Sequence, residues 1–122
     1  MSVEATARLA EYAREELGDS LRTIAIIYED SFEVLYLRED LKDRYTRETY
    51  GDIVDVFREI PAPSWHGEGE SPLGDRTSVV HCYENAFVFQ FNISGCHSVL
   101  MSVEPDVGTK LRTFIGDCQE RF

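Results

Sequence analysis

The sequence predicts an α+β domain with a five-stranded, mainly antiparallel sheet and helices on both faces. Three observations lead to this fold class: helical periodicity at both ends and in the middle of the chain, five short β-rich runs, and apolar residues on both faces of the first two runs. The predicted element order is α-β-β-α-β-β-β-α. A chain of 122 residues has the length of one ordinary domain, so we predict a single domain over residues 1–122.

The first half of the chain predicts a helix followed by a β-hairpin. Residues 2–17 are rich in Ala, Glu, Leu and Arg, which favour helix, and Gly18 supplies a C-terminal stop. The runs "LRTIAIIY" at 21–28 and "FEVLYL" at 32–37 are β-rich and are separated by a loop of hairpin length. Because both faces of these runs are largely apolar, we expect the sheet to be covered on each side.

Residues 38–60 return to a helical period, with an expected break around residues 43–46. The apolar side of this helix is expected to face the core and carries Tyr50, Ile53, Val54, Phe57 and Ile60. Pro61 ends the helix and opens a connection over residues 61–76 that is dense in Pro, Gly and Ser. Long connections of this kind are often functional, although many serve only as crossovers.

The second half of the chain predicts a three-stranded meander followed by a helix. The strands are expected at residues 77–83, 86–93 and 97–103, with turn-forming residues at both reversals. The last helix is expected to start near Pro105 or Asp106. Its apolar side is expected to face the core and carries Val107, Leu111, Phe114, Ile115, Cys118 and Phe122.

The stretch "HCYENAFVFQFNISGCH", from His81 to His97, contains the residue types of a zinc site, and the predicted strand register tests that reading. Two-residue turns at both reversals would pair Val88 with His81 on one side and with Met101 on the other. In this register the two histidines lie roughly 16 Å apart, at ~3.3 Å per residue and ~4.8 Å per strand. Since zinc binds its ligands at ~2 Å, we expect no metal site here and no cofactor.

Patterns for catalysis are weak in this sequence. A nucleophile needs a neighbouring base and an orienting group, whereas His81 and Cys82, adjacent on a strand, point to opposite faces. Acidic pairs are abundant, but none lies in an apolar run that would perturb its pKa. We therefore rank an enzyme below a binding protein.

The charge balance of the chain is strongly acidic. There are 23 Asp and Glu against 12 Lys and Arg, a formal net charge of -11, so we expect neither nucleic acid nor a membrane surface as a partner. Only two of the basic residues, Lys42 and Lys110, are lysines. This composition favours a protein that folds in molar salt, where the Debye length is about 3 Å and repulsion between carboxylates is screened. An ordinary acidic protein is the alternative.

The cellular context follows from cysteine content and from a resemblance. An odd number of cysteines, no long apolar run and no signal-like N-terminus favour the cytoplasm. The runs "YAREELGDSLR", "FEVLYLREDL" and "FIGDCQERF" resemble those of small acidic haloarchaeal proteins of unknown function. This resemblance implies a cytoplasmic, salt-adapted protein and assigns no site residue. The element order is also similar to the roadblock and longin-like branch of profilin-like folds.

Two groups of aromatic residues are candidate contact sites. Trp65, the sole tryptophan, and His66 lie in the long connection, where they would contact a partner or ligand, unless Trp65 folds back onto the core. Tyr36, Tyr45 and Tyr50 lie around the second strand and second helix, where they would line a dimer surface or an amphipathic boundary.

These observations support two hypotheses about function. The first is a non-enzymatic interaction module, a homodimer that docks onto another protein, based on the topology and the aromatic residues. The alternative is a sensor of a small ligand or nucleotide that uses the mixed face of the meander and the Trp65 loop as its pocket.

The acidic composition predicts that stability depends on salt. We expect the midpoint of thermal unfolding to fall by on the order of 10 °C between 2 M and 0.05 M KCl, because carboxylate repulsion is no longer screened. Circular dichroism at a series of KCl concentrations measures this shift. Full stability in dilute buffer would contradict the salt adaptation.

Overall fold

The structure is a computed structural model that describes residues 2–60, 72–74, 76–91, 93 and 95–122. Its helices are α1 (Ser2–Leu17), α2 (Arg47–Arg58) and α3 (Thr109–Gln119), and its strands are β1 (Leu21–Ile27), β2 (Phe32–Leu37), β3 (Ser78–Cys82), β4 (Phe87–Phe91) and β5 (Ser98–Val103). Short 3-10 helices occupy Gly18–Ser20, Glu39–Leu41 and Pro105–Gly108. The predicted α+β class and the predicted element order are confirmed, including the break between the short helix after β2 and α2.

The five strands form one antiparallel sheet in the order β2-β1-β5-β4-β3. The first and last strands of the sequence, β1 and β5, therefore pair with each other in the middle of the sheet. Every residue from Ile24 to Ile27 is fully buried. A strand buried on both faces is what the continuous apolar run in this segment predicts.

Helices cover both faces of the sheet. One face, called the α1 face, packs against α1 through Ile24, Ile26, Phe87, Val99 and Met101. On the other face, called the α2 face, the sheet residues Ala25, Ile27 and Leu100 pack against Tyr50, Val54 and Phe57 of α2. The third helix lies on the α1 face, because the segment that leads into it places Gly108 against the ring of Phe87.

The register of the meander was predicted correctly at its first reversal and wrongly at its second. His81 pairs with Val88 as expected, but Met101 pairs with Phe89, one residue from the predicted partner. The observed pairing is shifted by one residue from the register that a two-residue turn would give, and Gly95 has a φ of 94°, which favours glycine. This slip exchanges the faces of β5. Leu100 therefore lies on the α2 face.

The two histidines of the meander are joined by a chain of hydrogen bonds on the α2 face. His81 Nε2 lies 3.0 Å from Gln90 Oε1, and Gln90 Nε2 donates to Phe57 O at 3.2 Å and to Ser98 Oγ at 3.0 Å. Ser98 Oγ lies 2.8 Å from His97 Nδ1. Gln90 is 0% exposed, so these bonds satisfy an amide that has no access to solvent. Within the described residues, no group of three or more His, Cys, Asp or Glu side chains could hold a metal ion.

The predicted core face of α3 is covered only at Ile115 and Cys118, which are half-buried, whereas its other four residues are exposed. Leu111 and Phe114 are 45% and 65% exposed, and the terminal Phe122 is fully exposed. The helix begins beyond the end of β5 and lies beside the β3–β4 hairpin, so only one side of it contacts the sheet. Its apolar side is therefore left largely in solvent.

Arg112 connects α3 to the β3–β4 hairpin. Its Nη1 donates to Tyr83 O at 3.1 Å and its Nη2 to Glu84 O at 2.7 Å. These bonds satisfy two carbonyls at the reversal of the hairpin and fix the position of the helix. In the described part of the chain, no helix combines the length and the apolarity needed to cross a membrane.

Two glycines near the C-terminus are expected to respond in opposite ways to substitution by alanine. A Cβ at Gly108 would lie 2.3 Å from Phe87 Cε2, and the ring is too deeply buried to move away easily. We expect Gly108→Ala to lower the free energy of unfolding by about 1–3 kcal/mol. Among the described residues outside its own helix, none has an atom within 4 Å of such a Cβ at Gly116 in α3, so Gly116→Ala should raise the free energy of unfolding by about 0.5–1 kcal/mol.

Chemical denaturation of both variants in molar KCl measures these changes. Equal effects of the two substitutions would show that the contact between Gly108 and Phe87 does not constrain the fold.

Candidate functional site

A pocket of about 470 Å³ lies between α2 and the α2 face of the sheet. Its volume falls within the range of about 300–1,000 Å³ that is usual for small-molecule sites. Its aromatic wall consists of Tyr45, Tyr50, Phe57 and Tyr83. Its aliphatic wall consists of Ile53, Val56, Ala86, Val88 and Leu100, and its polar side chains are Arg22, Thr23 and Ser102.

The helix α2 brings the aromatic residues over the sheet. It starts at a capping box in which Thr46 Oγ1 accepts from the backbone N–H of Thr49, while Thr49 Oγ1 accepts from that of Thr46. Tyr50 and Phe57 then face the sheet from the buried side of the helix. Tyr45 lies just before the cap, with its ring 5.6 Å from that of Tyr50 in an edge-on arrangement. The cap therefore sets the position of Tyr45 and Tyr50 at the start of α2.

Three hydroxyl groups lie together at one end of the pocket. Thr23 and Ser102 are paired across β1 and β5, and their Oγ atoms are 2.6 Å apart. The hydroxyl of Tyr50 donates to Thr23 Oγ1 at 3.4 Å. Burial raises the pKa of Tyr50 above its ordinary value, so its phenol stays neutral and remains a hydrogen-bond donor.

A β-bulge directs Arg22 into this end of the pocket. On β5, Val103 pairs with Leu21 and the next residue, Ser102, pairs with Thr23, so Arg22 is the extra residue. In a regular strand, Arg22 and Thr23 would point to opposite faces. Both line the pocket here, because the bulge turns Arg22 toward the α2 face.

The guanidinium of Arg22 shares its carboxylate partner with a second arginine. Its Nη1 lies 3.2 Å from Glu104 Oε2, and the same oxygen lies 2.9 Å from Arg38 Nη2. Arg38 is also paired with the largely exposed Asp40, whose pKa is lowered by this contact. The side chain of Arg22 is 14% exposed, and its Nε is buried without a hydrogen-bond acceptor in the described part of the chain.

The structure separates the three tyrosines that the sequence groups together. Tyr45 and Tyr50 line the pocket, but Tyr36 belongs to the hydrophobic cluster of the α1 face. The cause is a second bulge: Ile24 pairs with Tyr36 and Ala25 with Val34, so Leu35 is the extra residue of β2. Tyr36 contacts α1 instead, where the guanidinium of Arg14 lies 5.4 Å from the centre of its ring.

The other two candidate residues, Trp65 and His66, lie outside the residues that the structure describes. The described lining of the pocket comes from Tyr45, α2, the strands β1, β4 and β5, and the β3–β4 connection.

Sequence reasoning missed Arg22, Thr23 and Ser102 as site residues. Arg22 did give a signal, because it is the only charged residue in the run "LRTIAII" and a charge in a buried strand needs a partner. Ser102 gave no signal, since its place beside Thr23 depends on the β1–β5 pairing, which joins residues 79 positions apart.

The described side chains of the pocket offer hydrogen-bonding groups and apolar contacts. Its described lining contains no His, Cys, Asp or Glu, and its two paired aliphatic hydroxyls have no neighbouring base. What it offers is a set of hydrogen-bond donors at one end and apolar walls elsewhere. Such an arrangement orients a small molecule by one polar end.

Comparison with known proteins places the chain in a family. No curated protein and no solved structure matches it. The family model of DUF7522, a domain of unknown function, matches residues 7–122, which include every described residue that lines the pocket. The chain therefore belongs to the DUF7522 family of domains of unknown function.

Proposed function

We propose that this chain is a non-enzymatic binding domain and that the pocket beneath α2 holds a small ligand. The observation that carries the proposal is a cavity of about 470 Å³ whose aromatic wall leads to three hydroxyl groups and a buried guanidinium. Protein interiors are normally packed as densely as organic crystals. An opening of this size, with its polar groups gathered at one end, is therefore the form of a binding site.

The position of the polar groups supports this proposal. Thr23 and Ser102 lie on central strands of the sheet, where apolar side chains would pack more tightly against Tyr50. Buried hydroxyls cost free energy unless they are hydrogen-bonded, and here they are bonded only to one another among the described residues. A ligand with a hydrogen-bond acceptor at this end would accept a hydrogen bond from one of these hydroxyl groups.

A nucleotide fits the pocket less well than a smaller molecule. Phosphate groups are usually held by several basic side chains or by a glycine-rich loop at a helix N-terminus. The described lining offers one cation, Arg22, and no glycine. Between the two ligand classes that the sequence suggests, the geometry favours a small organic molecule.

We also propose that the domain works in the molar salt of a halophile's cytoplasm. Support comes from its composition of 23 acidic and 12 basic residues, with lysine at only two positions. In such salt the repulsion among carboxylates is screened, while contacts inside a buried pocket are screened much less.

Filling the pocket should abolish ligand binding without unfolding the domain. Val88 is half-buried in the pocket wall, so we expect Val88→Phe to occupy the space that a ligand needs. The matched control is Val79→Phe, since Val79 is also half-buried on the α2 face but lies outside the pocket. Small aromatic compounds such as phenylacetamide and phenylacetate are titrated against ¹⁵N-labelled protein in 2 M KCl, and amide shifts along α2 and β5 report binding.

We expect saturable shifts in the wild type and the Val79→Phe variant, and a loss of affinity of at least about tenfold in Val88→Phe. Binding that survives Val88→Phe unchanged would place the ligand elsewhere.

A homodimerising interaction module is a second candidate function, favoured by the exposed apolar side of α3. Leu111, Phe114 and Phe122 present large apolar side chains to solvent, which is typical of a surface that another chain covers. Residues 109–122 carry three basic and two acidic residues, a net charge of +1 in a chain of net charge -11. Two copies could therefore approach through α3 with less repulsion than through the rest of their surfaces.

The dimer is tested by the molar mass of the protein in 2 M KCl. We expect light scattering to give the mass of a dimer for the wild type and of a monomer for Phe114→Asp, because the carboxylate cannot be buried in an apolar interface. The control Tyr12→Asp alters an exposed aromatic residue of α1 and should remain dimeric. A wild-type monomer in molar salt would remove this second candidate and leave the ligand-binding function intact.

A further inference from the structure

We propose that the ligand of the pocket is a small organic monocarboxylate with an aromatic or branched apolar body, and that its carboxylate is bound by Arg22. This inference rests on the proposed ligand-binding function and adds the chemical class of the ligand.

The open edge of Arg22 matches a carboxylate in shape. A guanidinium offers its five N–H groups as edges that bind a carboxylate through two parallel hydrogen bonds. Glu104 contacts Arg22 through Nη1. The edge formed by Nε and Nη2 has no acceptor among the described residues, and its Nε is covered by neighbouring atoms. A buried donor without an acceptor costs free energy, and two carboxylate oxygens would satisfy this edge once the side chain turns it toward the pocket.

The charges around Arg22 also favour an anion. Arg22 and Arg38 share the single carboxylate oxygen Oε2 of Glu104. The other acidic side chain, Asp40, is 62% exposed and paired with Arg38, and its charge acts on Arg22 at longer range. The direct contact of Arg22 is therefore a share of one carboxylate oxygen, which leaves its other N–H groups for an anion. A monoanion matches the one cation that the described lining contains, whereas a dianion would need a second.

The hydroxyl groups beside Arg22 have one proton to donate. Tyr50, Thr23 and Ser102 contain three O–H groups, and these make two hydrogen bonds among themselves. Whichever hydroxyl donates in the bond between Thr23 and Ser102, one proton remains for an outside acceptor. All the polar groups at this end of the pocket thus offer donors, and a carboxylate is a ligand group that only accepts.

The rest of the pocket accepts an apolar body. Tyr45, Phe57 and Tyr83 form the aromatic wall, with Phe57 and Tyr83 in an edge-on arrangement at a centroid distance of 6.5 Å. Offset and edge-on contacts of this kind suit a further ring. The aliphatic wall suits a branched chain equally well. The part of the ligand that fills the pocket is therefore apolar, whether aromatic or branched.

The test compares one ring with three head groups. Phenylacetate, its neutral isostere phenylacetamide and phenyl phosphate are titrated into ¹⁵N-labelled full-length protein in 2 M KCl, and Kd is measured from amide shifts. We expect phenylacetate to bind about tenfold or more tightly than phenylacetamide, as for other hydrogen bonds to charged groups, and to shift the Arg22 Nε–H resonance.

Variants of Arg22 then assign the preference to this side chain. Arg22→Gln should weaken phenylacetate by about tenfold and leave phenylacetamide within about twofold, since only the charged head group loses its partner. Arg22→Lys keeps the charge but not the two parallel hydrogen bonds, so an intermediate Kd is expected. The control Arg14→Gln removes an arginine on the opposite face of the sheet and should change neither affinity.

Each of the other outcomes contradicts one part of the proposal. Equal affinity for phenylacetate and phenylacetamide, unchanged in Arg22→Gln, would overturn the carboxylate and leave the binding pocket in place. Tighter binding of phenyl phosphate than of phenylacetate would assign a phosphate ester instead. If none of the three compounds shifts residues of the pocket, the proposed ligand-binding function itself is wrong.

Discussion

The pairing of β1 with β5 is the constraint on which the rest of the structure depends. These strands come from opposite ends of the sequence, yet they are neighbours at the centre of the sheet. Their side chains form the middle of both hydrophobic clusters, one beneath α1 and one beneath α2. Because long-range pairing is costly in chain entropy, the two clusters must supply most of the free energy that holds it.

Two β-bulges decide which side chains reach which face of this sheet. One extra residue in β1 turns Arg22 toward the pocket, and one extra residue in β2 turns Tyr36 away from it. The alternation of a regular strand would have reversed both outcomes. The candidate site therefore depends as much on backbone irregularities as on the identity of its residues.

The sequence was enough to predict the fold class, the element order and the buried side of α2, because these depend on local periodicity and on turn residues. It was not enough to predict the register of β5 on β4, where a shift of one residue places Leu100 on the α2 face and Met101 on the α1 face. Nor did it predict the exposure of α3. An amphipathic pattern shows which side of a helix is apolar, but whether that side is covered depends on where the helix lies.

Glu104 connects two parts of the molecule that lie on opposite faces of the sheet. Its carboxylate pairs with Arg22, at the polar end of the pocket, while its backbone carbonyl accepts from Val107 in the short helix that leads into α3. A ligand on the Nε–Nη2 edge of Arg22 would bind the same guanidinium that Glu104 contacts through Nη1, and Glu104 is the residue from which that helix starts. The polar end of the pocket and the exposed side of α3 are thus linked through one glutamate and a few residues of chain.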